Sequence, residues 1–234
     1  MLEVMRTPYW LDSRPIADSA SCGDLVAFFP LDADLSAIVI GDVAGRGPAA
    51  GVAARALLAF ARIAVASHLP LRTALHHVDE FFTRAVMCNE IPLASLFLAV
   101  ADTTDCVLDY ASAGHEPALH FTSDTRHDHL YPTGPLLGLE ALAPSRFTQR
   151  RVHFATESIL TIVTDGITEA RRYEADGPQF FGSIGVARAL AKARRTQVDP
   201  ARAIGAAAAQ HANGKIQDDA SVLVVGLGRS SRAL

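Results

Sequence analysis

The segment LSAIVIGDVAGRGPAA, residues 35–50, contains the changes of local structure that decide the fold. Residues 35–40 are apolar and partly β-branched, which predicts a strand. The glycine-rich turn GDVAGRG then interrupts regular structure and carries Asp42. Pro48 favours the first turn of a helix, and the Ala- and Leu-rich sequence after it predicts a helix that ends near His68.

The rest of the chain divides into blocks of short apolar runs and longer helical patterns. The predicted strands are residues 25–30, 35–40, 95–100, 106–111, 118–121, 151–154, 159–163 and 221–225. The predicted helices are residues 49–68, 71–87, 184–194 and 200–211. Strands linked as hairpins, with helices in blocks, predict a layered α+β domain. We place one domain at residues 19–228, after a loosely structured lead-in at 1–18 and before a tail at 229–234.

The composition is that of a globular protein and argues against several classes. The 234 residues are 50% hydrophobic, and the formal net charge is −4, which argues against a nucleic-acid binder or a polybasic membrane binder. Three cysteines without a CxxC pair argue against a disulfide framework or a zinc site, so we expect reduced thiols in the cytoplasm. The longest apolar stretch, residues 49–66, contains two arginines and is predicted to be a buried helix, not a membrane span.

Aspartates stand at the ends of the predicted strands. Asp24 begins the first strand, Asp42 follows the second, Asp165 follows a later one, and Asp218 and Asp219 precede the last. Carboxylates that converge repel one another, and a divalent cation bound by oxygen ligands relieves that repulsion. Such a ligand set favours magnesium, manganese or calcium over zinc. An Asp-Gly after a strand is also a common turn, so spacing alone leaves a metal site and plain turns both open.

Eight segments, in order, resemble the bacterial PP2C-type (PPM family) serine/threonine phosphatases of the SpoIIE/RsbU group. They lie between about residue 20 and residue 227, which is nearly the whole chain. The segments are SCGDLVAFFPL (21–31), GDVAGRGPAA (41–50), LASLFLAVAD (93–102), YASAGHEPAL (110–119), GPLLGL (134–139), LTIVTDGITEAR (160–171), FFG (180–182) and DDASVLVV (218–225). The resemblance implies a PP2C-like α+β fold, an α/β/β/α sandwich of two packed antiparallel sheets flanked by helices.

The resemblance also implies an activity and a set of catalytic and metal-binding residues. It implies hydrolysis of phosphoserine or phosphothreonine on a protein by a water that bridges two divalent cations, Mn²⁺ or Mg²⁺. By position, Asp42 bridges both ions, the carbonyl of Val43 binds one of them, and Asp165 and Asp218 hold the other. Asp24 is implied as a further ligand, bound directly or through a water.

Four other residues near these aspartates have expected supporting roles. We expect Asp219 and Glu169 to hydrogen-bond around the metal ligands. Arg46 in the glycine-rich turn suits a phosphate contact, although a solvated surface arginine is the alternative. His115 is expected to be buried and to support a turn. The turn contains no histidine, so the general acid of the eukaryotic relatives has no counterpart there.

The resemblance suggests partners and leaves two rival functions open. The usual substrate in this group is a phosphorylated STAS-domain antagonist of an anti-sigma factor. The helices at residues 48–87 are the expected contact for a regulatory protein, and a homodimer is a further expectation. One rival is a catalytically weak, phosphatase-like docking module in a partner-switching pathway, which the altered Leu25-Val26-Ala27 sequence leaves open. The other is a phosphatase that acts on a small phosphoester.

Overall fold

The computed structural model describes residues 7–15, 22–45, 47–87, 93–123, 126–139 and 146–226. These residues form two compact units, and helices and strands are numbered along the chain. The central unit consists of the described residues of Ala17–Pro117 and Tyr131–Ala155. The terminal unit consists of those of Met1–Ile16, Ala118–Leu130 and Thr156–Leu234.

The central unit contains a five-stranded antiparallel sheet in the order β2-β3-β4-β5-β8 and two helices. Its elements are β2 (Asp24–Pro30), β3 (Leu35–Val43), α1 (Pro48–Ala66), α2 (Leu71–Met87), β4 (Ala94–Asp102), β5 (Val107–Ala113) and β8 (Arg150–His153). Helix α1 contacts β2, β3 and α2, and its buried stripe includes Ala54, Leu57 and Ala61. The small alanine side chains let the helix lie close to the sheet.

Helix α1 is also long and apolar enough to cross a membrane, judged by length and composition alone. Core helices of globular domains often share that property. The stripe of α1 that includes Ala54, Leu57 and Ala61 belongs to the hydrophobic core of the central unit. The structure confirms a helix at these residues, but it buries one face of the helix and not the whole helix that the sequence predicts.

The terminal unit contains a second antiparallel sheet, in the order β1-β12-β9-β6-β7, and a separate hairpin, β10-β11. Its elements are β1 (Tyr9–Arg14), β6 (Ala118–Phe121), β7 (His127–Leu130), β9 (Ile159–Val163), α3 (Asp165–Thr168), β10 (Arg171–Glu174), β11 (Gly177–Phe180), α4 (Gly182–Thr196), α5 (Pro200–His211) and β12 (Ala220–Gly226). Helices α4 and α5 pack against each other, and α5 contacts β12 and β1. Strand β12 is buried along its whole length.

Several features of the terminal unit differ from the sequence-based expectation, among them strand β7 and the short helix α3, which the sequence did not predict. Residues 9–14, expected as part of a loosely structured lead-in, form β1 and pair with β12 from Tyr9 opposite Val225 to Arg14 opposite Ala220. A fully buried strand needs backbone partners on both of its edges, and β9 provides only one of them. The hairpin β10-β11 is an addition to the predicted strands. The domain boundaries at 18/19 and 228/229 remain predictions.

A buried carboxylate connects α2 to the loop at residues 134–139. Asp79 on α2 is only 1% exposed, and its Oδ1 accepts a hydrogen bond of 2.8 Å from the backbone N–H of Gly138. Its Oδ2 is buried and has no hydrogen-bond partner among the described residues. Next to Gly138, Leu137 exchanges two backbone hydrogen bonds with Ala94 at the start of β4. Asp79 therefore helps to hold the loop against both α2 and β4.

We predict that Asp79→Ala lowers the free energy of unfolding by about 1–3 kcal/mol, because the Gly138 N–H loses its partner inside the protein. Asp79→Asn keeps an accepting oxygen at the same place, so it is the matched control and should lose less stability than Asp79→Ala. Urea denaturation of the three proteins measures the difference. Equal stability of Asp79→Ala and the wild type would contradict this role for the hydrogen bond.

Candidate functional site

In the central unit, the predicted ligands Asp24 and Asp42 lie on adjacent strands. The register of β2 and β3 places the two residues directly opposite each other. The backbone N–H of Val43 donates a hydrogen bond of 3.1 Å to the carbonyl of Gly23, which extends the pairing beyond the first residue of β2. The strand pairing therefore fixes both aspartates at one end of the sheet.

Gly23 allows two oxygen atoms to approach the same point. A Cβ atom on Gly23 would lie 2.7 Å from the carbonyl oxygen of Val43 and 2.9 Å from Oδ1 of Asp42. Any larger residue would push these two oxygens aside. A carboxylate oxygen and a carbonyl oxygen that converge in this way are donors that Mg²⁺, Mn²⁺ and Ca²⁺ accept. The donors present therefore fit the hard cation that the sequence predicts.

The glycine-rich turn after β3 is held from the other side by the strand that follows α2. The N–H of Ala44 donates a hydrogen bond of 2.9 Å to the carbonyl of Leu93. Gly45 and Gly47 have φ values of 106° and 87°, which favour glycine. Gly47 is the residue that precedes α1. Arg46, the predicted phosphate contact, lies outside the described residues.

A half-buried serine and a buried histidine form a pair on the strand opposite Asp42. Ser95 on β4 is the cross-strand partner of Asp42, and its Oγ lies 2.8 Å from Nδ1 of His115. His115 is 2% exposed, as expected for a residue that supports a turn. The sequence did not identify Ser95, because its position follows only from the register of β3 with β4.

In the terminal unit, the predicted ligands Asp165 and Asp218 follow β9 and precede β12. The N–H of Thr164 donates to the carbonyl of Ser221 at 3.1 Å, and the N–H of Ser221 donates to Oγ1 of Thr164 at 2.9 Å. Asp165 begins the short helix α3 at the residue after Thr164. These hydrogen bonds bring the end of β9 and the start of β12 together, and the two aspartates with them.

The backbone also packs closely at this point. A Cβ atom on Gly166 would overlap the carbonyl oxygen of Asp219, so a larger residue at position 166 would displace the start of β12. The side chain of Asp218 accepts a hydrogen bond of 3.0 Å from the N–H of Asp219. Asp219 itself is buried. The structure thus places Asp219 next to a predicted ligand, but leaves its supporting role as a prediction.

The charges around Asp165 oppose its ionisation. Burial raises the pKa of Asp165 above its ordinary value, and the negative charges of Glu169 and Asp218 raise it further. The N–H of Gly166 donates to the carboxylate and partly lowers the pKa. A bound cation would favour the ionised carboxylate and reverse the effect of its acidic neighbours. The electrostatics of this carboxylate cluster, defined as Asp165, Glu169 and Asp218, therefore also fit a cation.

An arginine contacts the two segments of the chain that carry this carboxylate cluster. Arg171 lies 3.8 Å from the carboxylate of Glu169, and it donates a hydrogen bond to the side chain of Gln217. The sequence predicts Glu169 as a hydrogen-bonding neighbour of the metal ligands, and that role stays a prediction. It did not identify Gln217, which only its position beside Asp218 could have indicated.

The structure brings together Asp24 and Asp42 in one unit and Asp165 and Asp218 in the other. Within the part of the chain that the structure describes, no group of three His, Cys, Asp or Glu side chains is close enough to hold a metal ion. The assignment of ligands to ions therefore remains a prediction.

We predict that Asp165→Asn stabilises the metal-free protein at neutral pH. The folded protein raises the pKa of Asp165, so the protonated side chain favours folding. This contribution to stability is fully present below the ordinary pKa of aspartate, about 4, and is lost as the pH rises through the raised pKa. Above that range the asparagine variant, which carries no charge, should melt at a higher temperature than the wild type. The difference should shrink as the pH falls towards about 4.

Thermal melting in EDTA over a series of pH values measures this difference. Asp176→Asn is the control, because Asp176 is an exposed aspartate in the turn of the β10-β11 hairpin. A melting temperature of Asp165→Asn below that of the wild type at pH 7 would contradict the electrostatic account.

Comparison with known proteins identifies relatives over most of the chain. The family model for Stage II sporulation protein E (SpoIIE) matches residues 32–228. Protein IcfG of Synechocystis sp. is 26% identical over an alignment 229 residues long. The alignment covers 87% of this chain and 35% of IcfG. The chain therefore spans about a third of the length of this curated relative.

Solved structures of similar fold come from the same group of proteins. The RsbU and RsbW domains of a Mycobacterium tuberculosis protein match with a TM-score of 0.78 and 22% identity, over 99% of this chain and 64% of that one. The PP2C phosphatase domain and a regulatory fragment of SpoIIE from Bacillus subtilis match with a TM-score of 0.79 and 16% identity, over 97% of this chain and 64% of that one. RsbX, solved in complex with magnesium, matches with a TM-score of 0.67 and 12% identity, over 96% and 100%.

These likenesses confirm the PP2C-like α+β fold with two antiparallel sheets that the sequence predicted. Because the solved structures are only 12–22% identical to this chain, they support its fold alone. The match to the SpoIIE family model shows the family to which the chain belongs. The match covers most of the chain, including all of the predicted ligands except Asp24. The chain belongs to the SpoIIE family of PP2C-type phosphatases.

Proposed function

We propose that this chain is a divalent-metal-dependent protein serine/threonine phosphatase. The observation that carries the proposal is the half-buried Asp165 carboxylate, whose ionisation is opposed by its partial burial and by the negative charges of Glu169 and Asp218. At neutral pH such an arrangement costs stability, and a bound cation offsets that cost. The arrangement occurs where the family resemblance assigns a metal ligand.

The proposed ligands are those predicted from the sequence. Asp42 and the carbonyl of Val43 are converging oxygen donors beside Gly23, and Asp24 lies opposite Asp42. Asp165 and Asp218 are the proposed ligands in the terminal unit. We assign two Mn²⁺ or Mg²⁺ ions to these residues, and magnesium in the related RsbX structure supports that class of metal. When bound, such ions supply a water of lowered pKa and neutralise charge on the phosphoryl group.

The residues of the chain itself hold and orient these ligands. Backbone hydrogen bonds fix Val43 to Gly23 and Ala44 to Leu93, so the Asp42 turn is positioned before any ion binds. Glu169 and Asp219 are the proposed hydrogen-bonding neighbours of the ligands. Ligands held in place in advance lose less conformational freedom when the ion binds.

We further propose that the substrate is a phosphorylated STAS-domain protein. The proposal rests on the family resemblance, and the match to a protein with both RsbU and RsbW domains supports it. The helices at residues 48–87 are the proposed contact of a regulatory protein or of a second copy. α1 begins at the end of the turn that carries Asp42, so a partner that shifts α1 could change metal binding there.

We predict that the purified protein hydrolyses p-nitrophenyl phosphate with Mn²⁺ or Mg²⁺ and that EDTA abolishes the activity. Asp42→Asn and Asp165→Asn should each lower the rate by about 100-fold or more, because each removes a proposed ligand. Asp176→Asn, which changes an exposed aspartate on the hairpin turn, should keep the wild-type rate. A steady-state assay with each metal measures all four proteins.

Activity that survives both EDTA and the two ligand substitutions would contradict the proposal. An absence of activity with every metal, together with no gain in melting temperature from Mn²⁺, would favour the docking-module alternative. The ratio of activity on a phosphorylated STAS protein to activity on p-nitrophenyl phosphate separates a protein phosphatase from an enzyme for small phosphoesters.

A further inference from the structure

The hairpin β10-β11 exposes aromatic side chains on one face. In its antiparallel register Arg171 is opposite Phe180, and Tyr173 is opposite Pro178, so these four residues share a face. Tyr173 is 70% exposed and Phe180 is 52% exposed. The guanidinium of Arg171 lies 5.8 Å from the centre of the Phe180 ring, within the range of a cation–π contact. Large exposed rings of this kind are typical of surfaces that bind other proteins.

The end of this hairpin and the start of α4 form an open groove of about 590 Å³. Phe180, Phe181 and Ile184 provide its apolar lining, and the side chain of Ile184 is 65% exposed. The polar lining includes Arg188, Lys192 and His211, and none of the described residues that line the groove is acidic. The groove therefore combines apolar side chains with basic ones.

The start of α4 adds to the positive potential of the groove. The helix has no acidic residue in its first turn, and no side chain within the described ranges caps its N-terminus. The free N–H groups and the aligned peptide dipoles of a 15-residue helix favour negative charge at that end. The net charge of the whole chain is −4, so this basic groove is an exception to the overall charge.

The groove is formed before any partner binds. The N–H of Phe181 donates a hydrogen bond of 2.8 Å to the carbonyl of Ala170. The Phe181 ring lies against Gly185, where a Cβ atom would overlap it, and 5.7 Å from the ring of His211. His211 Nε2 lies 2.7 Å from the carbonyl of Gln179. These contacts join β11, α4 and α5 into a fixed surface.

The hairpin wall of the groove begins beside the carboxylate cluster. Arg171, its first residue, contacts Glu169 and Gln217, which are close in sequence to Asp165 and Asp218. A protein chain with a phosphoserine at these aspartates could therefore extend along the hairpin towards the groove. The groove would then contact residues of the substrate other than the phosphoserine.

We propose that this groove docks an acidic segment of the phosphoprotein substrate, with an apolar side chain against Phe180 and Ile184 and carboxylates against Arg188 and Lys192. The charge complementarity of the groove supports this occupant. The inference rests on the proposed phosphatase function and adds a docking site for the protein substrate to it. Docking of this kind changes the affinity for the protein substrate and leaves the chemical step unchanged.

The test uses the double variant Arg188→Glu/Lys192→Glu with three substrates. These are phosphorylated β-casein as an acidic phosphoprotein, a phosphoserine peptide with flanking arginines, and p-nitrophenyl phosphate. We expect kcat/KM for casein to fall about 10-fold or more and to lose part of its dependence on salt. The rate on p-nitrophenyl phosphate should stay within about twofold, and the basic peptide should be unaffected or improved.

The matched control is Arg202→Glu/Lys215→Glu, which reverses two exposed charges of the same unit outside the groove. It should leave all three substrates unchanged. An equal loss on all three substrates in the groove variant would overturn the proposal, as would an unchanged kcat/KM for casein. A dimer in size-exclusion chromatography that the groove variant dissociates would assign the groove to a second copy, and would also overturn it.

A binding measurement separates this inference from the proposed function. Phosphorylated β-casein should bind the Asp165→Asn protein. It should bind the triple variant, which carries Asp165→Asn together with Arg188→Glu/Lys192→Glu, about 10-fold more weakly. This result does not depend on turnover. If the wild type hydrolyses no substrate with any metal, the proposed function fails, while the difference in casein binding still decides whether the groove docks an acidic chain.

Discussion

The partial burial of the Asp165 carboxylate beside the acidic side chains of Glu169 and Asp218 is the constraint on which the rest of the site depends. Burial and these neighbours raise the pKa of Asp165, so ionisation at this position opposes folding in the metal-free protein. Hydrogen bonds between Thr164 and Ser221 nevertheless hold the ends of β9 and β12 together. An arrangement that costs stability and is still fixed by the main chain is expected at a binding or catalytic site.

Two glycines let the main chain hold the predicted ligands close to neighbouring backbone. Gly23 leaves room for the oxygens of Asp42 and Val43, and Gly166 leaves room for the carbonyl of Asp219. Gly23 directly precedes Asp24, and Gly166 directly follows Asp165, so each glycine lies next to a predicted ligand. Strand pairing positions the ligands of the central unit, and the hydrogen bonds between Thr164 and Ser221 position those of the terminal unit. The hairpin β10-β11 begins next to these ligands, because its first residue, Arg171, contacts Glu169.

Most of the fold follows from the periodicity of apolar residues. Helix α2 and strand β9 begin and end where the sequence predicts, because turn residues or prolines bound clear apolar patterns. Strand β1 was missed, since its pairing is imposed by the free edge of β12 and not by its own composition. The polar hairpin β10-β11 was also missed, although its Asp176-Gly177 turn is a recognised hairpin signal. The aspartates could be found because they stand at strand ends, whereas Ser95 and Gln217 depend on contacts between distant parts of the chain.

The central claim is that Asp42, Asp165 and Asp218 bind divalent metal ions. The most direct measurement is anomalous diffraction at the manganese edge from crystals grown with Mn²⁺. The account predicts strong anomalous peaks within coordination distance, about 2.0–2.4 Å, of carboxylate oxygens of Asp42 and of Asp165 or Asp218. Peaks confined to other residues, or ordered aspartates without any peak at saturating Mn²⁺, would contradict it.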